Sequence, residues 1–179
     1  DIIDPRILTP HGLLVFGGAP KVGKSDLLLA WLANMSSGLP FLGMRPSRPL
    51  KIFYLQTEVE YHYFKERMHA LQLDPEARKL VGKNLVATPQ CQVLLDKEGV
   101  ELMHRTILCH FPKGDVDIIA IDPLRQVFDG GENKLSENDN GAMNAFLHNR
   151  IGALRDSINP KGAVILIHHT KKLTATQIE

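Results

Sequence analysis

Two cysteines, Cys91 and Cys109, are all that the 179-residue chain carries. They lie too far apart for a CxxC pair, which argues against a disulfide framework or a structural zinc site. An excess of charge of one sign is missing too: 21 Lys and Arg face 20 Asp and Glu, for a net charge of +1. No global basic field therefore marks a nucleic-acid binder, although a local patch is compatible with the count. The longest apolar runs, such as Ala163 to Ile167, are strand-sized and too short for a membrane span. The opening Asp1-Ile-Ile-Asp-Pro-Arg6 lacks the basic and apolar parts of a signal peptide, and lacks an initiating methionine. It reads as a piece of a longer cytoplasmic protein. What is present is ordinary globular composition, 44% hydrophobic and 23% charged, at a length that fits one domain with a sizeable core.

Strand and helix signals alternate. Gly12 to Phe16 is a short apolar run between turn residues and predicts a buried strand, followed by a glycine-rich turn over 17–24. Leu27, Leu28, Ala30, Trp31, Leu32 and Met35 then recur with helical spacing until Ser36-Ser37-Gly38. Pro40, Pro46 and Pro49 argue against regular structure before a strand over 51–55. An amphipathic helix is expected over 60–71, with Tyr61, Phe64, Met68 and Leu71 on one face. Asp74-Pro75 opens a short helix, 85–87 is a further strand and 98–110 a helix. Val116 to Ile121 is a buried strand, with Asp117 expected to face solvent at its start. The polar stretch 129–141 is expected to be a mobile, solvated loop, 143–158 a helix and 163–167 the last strand. Such alternation implies βαβ units: an α/β fold with a mostly parallel sheet and helices on both faces. The chain stops soon after the last strand, and further C-terminal strands are expected beyond it.

The densest chemistry lies at Gly18-Ala19-Pro20-Lys21-Val22-Gly23-Lys24-Ser25, which fits GxxxxGK[ST] at every fixed position, between a strand and a helix. Gly18 and Gly23 allow the backbone to wrap and aim N–H groups at an anion. The helix, whose first turn includes Asp26, offers its positive end to the same point. In that setting Lys24 supplies charge to the β- and γ-phosphates of ATP, and the Ser25 hydroxyl ligates Mg²⁺.

A second metal anchor is usually an acid at the tip of a neighbouring strand, and Asp122 ends the run Val116 to Ile121 in that way. Hydrolysis also needs a base to orient water. In Tyr54-Leu-Gln-Thr-Glu58-Val-Glu60, Glu58 lies just beyond a strand tip and is preferred; Glu60 is better explained as a helix N-terminal acid. The last strand closes on His168-His169-Thr170-Lys171-Lys172, polar residues suited to sensing a γ-phosphate. Neighbours on a strand face opposite ways, which argues against one metal bound by both histidines; one of the two is expected to be a satisfied structural residue. Lys171 and Lys172 are either a solvated turn or a contact to phosphate or DNA. The acids of 129–141 (Asp129, Glu132, Glu137 and Asp139, against Lys134) argue against the basic lid of a small-molecule kinase.

Taken together, these elements resemble the RecA-like ATPases, and among them the RepA-type replicative helicases of plasmids and related ATPases of phages and mobile elements. The elements that narrow the choice are Tyr54-Leu-Gln-Thr-Glu58, Asp122-Pro-Leu-Arg125, and His168-His169 followed by Lys172. The resemblance spans nearly all of 1–179, as a RecA-like ATPase core. It implies a P-loop sheet of the ASCE type with the His-bearing strand between the P-loop strand and the strand ending at Asp122. It also implies a DNA helicase or related motor, ATP and Mg²⁺ as cofactors, Lys24 and Glu58 (the base) as catalytic residues, and His169 as the sensor. Single-stranded DNA is the implied partner, and hexameric rings the implied assembly. The neighbour's arginine finger is expected beyond Glu179 and the DNA loops mostly after Thr174; Arg125 and Arg150 are not assigned to that role. A nucleotide-dependent switch acting on protein partners is the alternative.

Overall fold

The computed structural model describes residues 1–131 and 133–170. The runs rich in β-branched and other apolar residues become strands of one parallel sheet: β2 (Leu13–Gly18), β4 (Ile52–Gln56), β5 (Leu85–Ala87), β6 (Ile118–Asp122) and β7 (Ala163–His169). Their order is β2-β7-β6-β4-β5, so the His-bearing strand lies between the P-loop strand and the strand ending at Asp122. A small antiparallel pair, β1 (Ile3–Asp4) with β3 (Arg45–Pro46), sits apart. Pro46 is tolerated there because a two-residue edge ladder asks for few donors, so the prolines of 40–49 did not exclude regular structure.

Side-chain alternation divides the core between the two sheet faces. Phe53, Leu55, Ile119, Ile121, Val164 and Leu166 pack toward α4 (Lys97–His110), α6 (Asn140–Phe146) and α7 (Ala153–Ile158). Ile52, Tyr54, Ile118, Ala120, Ile165 and Ile167 pack toward α1 (Lys24–Ser37). Helices on both faces force the central strands β4 and β6 to be buried throughout. β2 departs from the expected buried strand. It is an edge strand, and Leu13 and Val15 stay 45% and 48% exposed on one face, while Phe16 packs edge-on against Trp31.

Two helices also differ from their sequence patterns. α2 (Tyr61–Ala70) buries no residue fully: Phe64 and Met68 lean on the core, but Tyr61 is exposed. The helix expected over 143–158 begins at Asn140, because Asp139 caps it by accepting from Ala142 N. It continues from α6 through a π-helical turn, Leu147–Gly152, into α7. Asp74 and Asp96 likewise cap α3 (Pro75–Asn84) and α4. Among the described residues no helix is long and apolar enough to cross a membrane.

Asp117 corrects the expectation of a solvent-facing acid. It is buried, takes Arg48 in a two-pronged contact at 2.9 and 2.6 Å, and accepts the Lys51 amide at 2.8 Å. The strand start is thus clamped to the segment entering β4. Arg48→Ala strands a buried carboxylate that keeps only its amide donor. Since the guanidinium is itself half exposed, the expected cost is roughly 2 kcal/mol, a fall of about 6 °C in melting temperature by calorimetry. An unchanged melt would mean that the pair holds nothing.

Candidate nucleotide site

The P-loop begins where β2 ends. Gly23 has φ 83°, the left-handed region open to glycine at no steric cost, and from it the chain turns into α1. Gly18 does not take a positive φ. A Cβ there would meet Lys24 Cδ at 3.4 Å, ordinary van der Waals contact, so neither φ nor space alone demands glycine at this position. Lys24 is the first residue of α1 and folds its ammonium back over the loop, donating to Gly18 O at 2.8 Å and Ala19 O at 2.6 Å. Gly18 O also accepts from Thr170 N at 3.1 Å, which ties the end of β7 to the loop.

Among the described residues no side chain caps the N-terminus of α1. Its first-turn amides have no acceptor within the helix and offer a ready anion site. Ser25 is half-buried at this point. Lys21 (φ 63°), Val22 and Pro20 are exposed; Pro20 also edges a neighbouring cleft. Asp26 does not turn its carboxylate to the loop but pairs with Arg67 of α2 at 3.1 Å, leaving its backbone amide as its contribution to an anion.

Register sets the other residues along the same edge of the sheet. Leu55, Ile121, Leu166 and Val15 form one row across four strands. One step further lie Gln56 and Asp122 on their strands, with Glu58 two residues beyond Gln56 and His168 and His169 at the end of β7. Asp122 is buried. Its Oδ2 accepts the Tyr54 hydroxyl at 2.7 Å, and among the described residues it has no cationic partner. Burial first, and then the Asp122 carboxylate, push the Tyr54 phenol well above its ordinary range, so it remains an O–H donor at any working pH. A buried carboxylate that meets only a neutral donor is costly unless a cation joins it, so the donor set fits Mg²⁺. Ser25 Oγ and Asp122 would supply the oxygen ligands or anchors, with water and phosphate completing the shell. Among the described residues no group of three His, Cys, Asp or Glu could hold a metal by itself.

The two histidines and Glu58 fall in separate clefts. His168 and His169 line a cavity of about 300 Å³ with Pro20, Arg125 and Glu137. Nδ1 of each is buried without a hydrogen-bond partner among the described residues, so neither ring is the satisfied structural histidine expected. Arg125 Nε and Glu137 Oε1 are 3.7 Å apart across the cavity. Glu58 is exposed and accepts from Gln126 Nε2 at 3.4 Å, beside a polar cavity of about 520 Å³ lined also by Thr57, Gln90 and Gln92. The structure brings Glu58 to Gln126, not to Lys24. Arg125 and Gln126 are adjacent on α5 (Leu124–Val127), which therefore borders both cavities. Glu60 is the N-cap residue of α2 without a side-chain cap bond, and its carboxylate lies 3.7 Å from His62.

The stretch 129–141 is more than solvated linker. Asp129 pairs with Arg150 at 3.1 Å, Glu137 faces Arg125 and Asp139 caps a helix. Glu132, Lys171 and Lys172 lie outside the described residues. Sequence reasoning missed Tyr54 as a partner of Asp122, and the signal was available: a tyrosine two residues short of the Gln56–Asp122 rung, on a parallel neighbour. The Arg125–Glu137 contact had no local signal, because the partners are twelve positions apart in sequence.

No curated protein matches the chain. A family model described as AAA domain matches residues 1–175. That match covers the loop, the sheet and the strand ends just described, and by it the chain belongs to the AAA family of P-loop ATPases.

Proposed function

We propose that the domain binds ATP with Mg²⁺ at the 18–26 loop and hydrolyses it to drive a motor on single-stranded DNA, of the replicative-helicase or recombination kind. The observation that carries the nucleotide half is the uncapped start of α1 with the Lys24 ammonium folded over Gly18 and Ala19. Entering phosphates displace those two carbonyls and take the ammonium and the open amides in their stead. The cation, when bound, neutralises charge developing between the β- and γ-phosphates. Asp122 and Ser25 hold its shell, Glu58 takes a proton from the attacking water and His169 reads the γ-phosphate.

The DNA half rests on the likeness of Tyr54-Leu-Gln-Thr-Glu58, Asp122-Pro-Leu-Arg125 and the closing His-His to RepA-type helicases. In this reading the protein works as a homo-hexamer, with the arginine finger given by a neighbour. The test is ATP turnover by the purified protein with and without single-stranded DNA, at two salt concentrations. Stimulation of about tenfold or more that fades with salt is expected. Turnover indifferent to DNA but raised by a protein partner would replace the motor with a nucleotide-dependent switch, a reading that the net charge of +1 also accommodates.

A further inference from the structure

Asp122 has two carboxylate oxygens in a buried strand end, and the described residues address only one of them. Oδ2 receives the Tyr54 hydroxyl at 2.7 Å, while Oδ1 meets no donor among the described residues. Tyr54 stands opposite Ala120 in the β4–β6 register, so it shares a sheet face with Asp122 one pleat further on. Its ring cannot wander: it is 3% exposed, sits in the core on the α1 side of the sheet, and has Phe64 of α2 against it at a centroid distance of 6.4 Å. The hydroxyl is therefore delivered to Oδ2 from a fixed scaffold rather than from a mobile chain.

The choice of donor matters. A lysine or arginine in this place would neutralise Asp122 and compete with a metal ion for it. A phenol fixes the carboxylate's orientation and leaves its full negative charge available. We infer that Tyr54 is a positioning residue for the metal anchor, holding Oδ2 of Asp122 so that Oδ1 is the oxygen presented to the magnesium shell of the bound nucleotide. This rests on the nucleotide reading above. Partners that orient a metal's ligands without touching the metal are commonly worth about 10-fold to 100-fold in metal affinity.

The experiment uses Tyr54→Phe, which keeps the ring and removes only the hydroxyl. A fluorescent ATP analogue is titrated into wild-type and variant protein, first in EDTA and then across a magnesium series, and Mn²⁺ affinity is read in parallel by electron paramagnetic resonance. The half-saturating magnesium concentration and the Mn²⁺ dissociation constant are expected to rise about tenfold or more. The metal-free nucleotide affinity should move less than about twofold, a split that simple loss of packing would not produce. In an Asp122→Asn background, Tyr54→Phe should add almost nothing, since the hydroxyl then has no charged oxygen to orient. Should Tyr54→Phe fold poorly, Tyr54→Trp, which keeps a neutral ring donor, is compared with Tyr54→Leu: equal magnesium dependence in the two overturns the inference. A wild-type magnesium response that Tyr54→Phe leaves unaltered overturns it alone. Wild-type protein that binds no nucleotide, or binds it identically with and without metal, overturns the nucleotide reading and this inference with it.

Discussion

Lys24→Ala is expected to weaken ATP binding about 100-fold or more, measured by equilibrium titration with a fluorescent nucleotide at fixed magnesium. The ammonium has two carbonyl partners, at 2.8 and 2.6 Å, and both bonds lie inside the loop that must open to phosphate. Alanine removes a unit charge from a point where a triphosphate brings several negative charges. Charge-assisted hydrogen bonds are worth about 1.5–3 kcal/mol each, and two of them lost to phosphate oxygens reach roughly 3 kcal/mol, or about two decades in dissociation constant. Lys24→Arg is not a conservative control. The planar guanidinium presents its donors in a fixed fork, whereas the compact ammonium reaches Gly18 O and Ala19 O from a single point. Lys24→Met keeps the apolar stem beside Gly18 and separates charge from packing: its affinity should fall as far as that of alanine. Affinity unchanged in both variants would mean that the loop does not hold phosphate. The loss should also shrink as salt rises, since the removed term is coulombic.

Short-range patterns carried most of the architecture. The β-branched and apolar runs at 52–56, 118–122 and 163–169 could bury both faces only as inner strands of a parallel sheet, and they do. The turn at Gly23 was readable because the step from strand to helix asks for a positive φ there. What the local pattern could not carry were facts about who lies next to whom. Leu13 and Val15 look as apolar as the inner strands, and they stay exposed because β2 is at the edge, a property of strand order and not of composition. Asp117 looks like a solvated strand-start acid until Arg48, 69 residues away, is folded against it. Tyr54 reads as core, since an aromatic in a strand ordinarily is core, and only the register with β6 reveals its hydroxyl at Asp122. The acids of 129–141 read as solvated for the same reason: the partners of Asp129 and Glu137 lie outside the loop.

Glu58→Gln is expected to leave nucleotide affinity within about twofold of wild type and to cut turnover by about 10²- to 10⁴-fold, the range that a positioned general base supplies. The amide is nearly the same shape as the carboxylate and can still meet Gln126, which lies 3.4 Å away, so the fold has no reason to change. What disappears is an acceptor able to take a proton. Glu60→Gln is the matched comparison. Its carboxylate lies near His62 at the start of α2, and its loss should cost turnover less than about twofold, through a slightly weaker helix start. Single-turnover kinetics on both variants separate chemistry from product release. If Glu58→Gln turns over normally and Glu60→Gln does not, the base is the helix acid. The position of Glu58 gives this comparison its force: it is exposed, on the far side of β6 and β7 from the loop strand, and held by a neutral amide rather than a cation. Among the described residues its one side-chain hydrogen bond is the long contact to Gln126, so a large fall in the single-turnover rate with unchanged binding is a loss of chemistry.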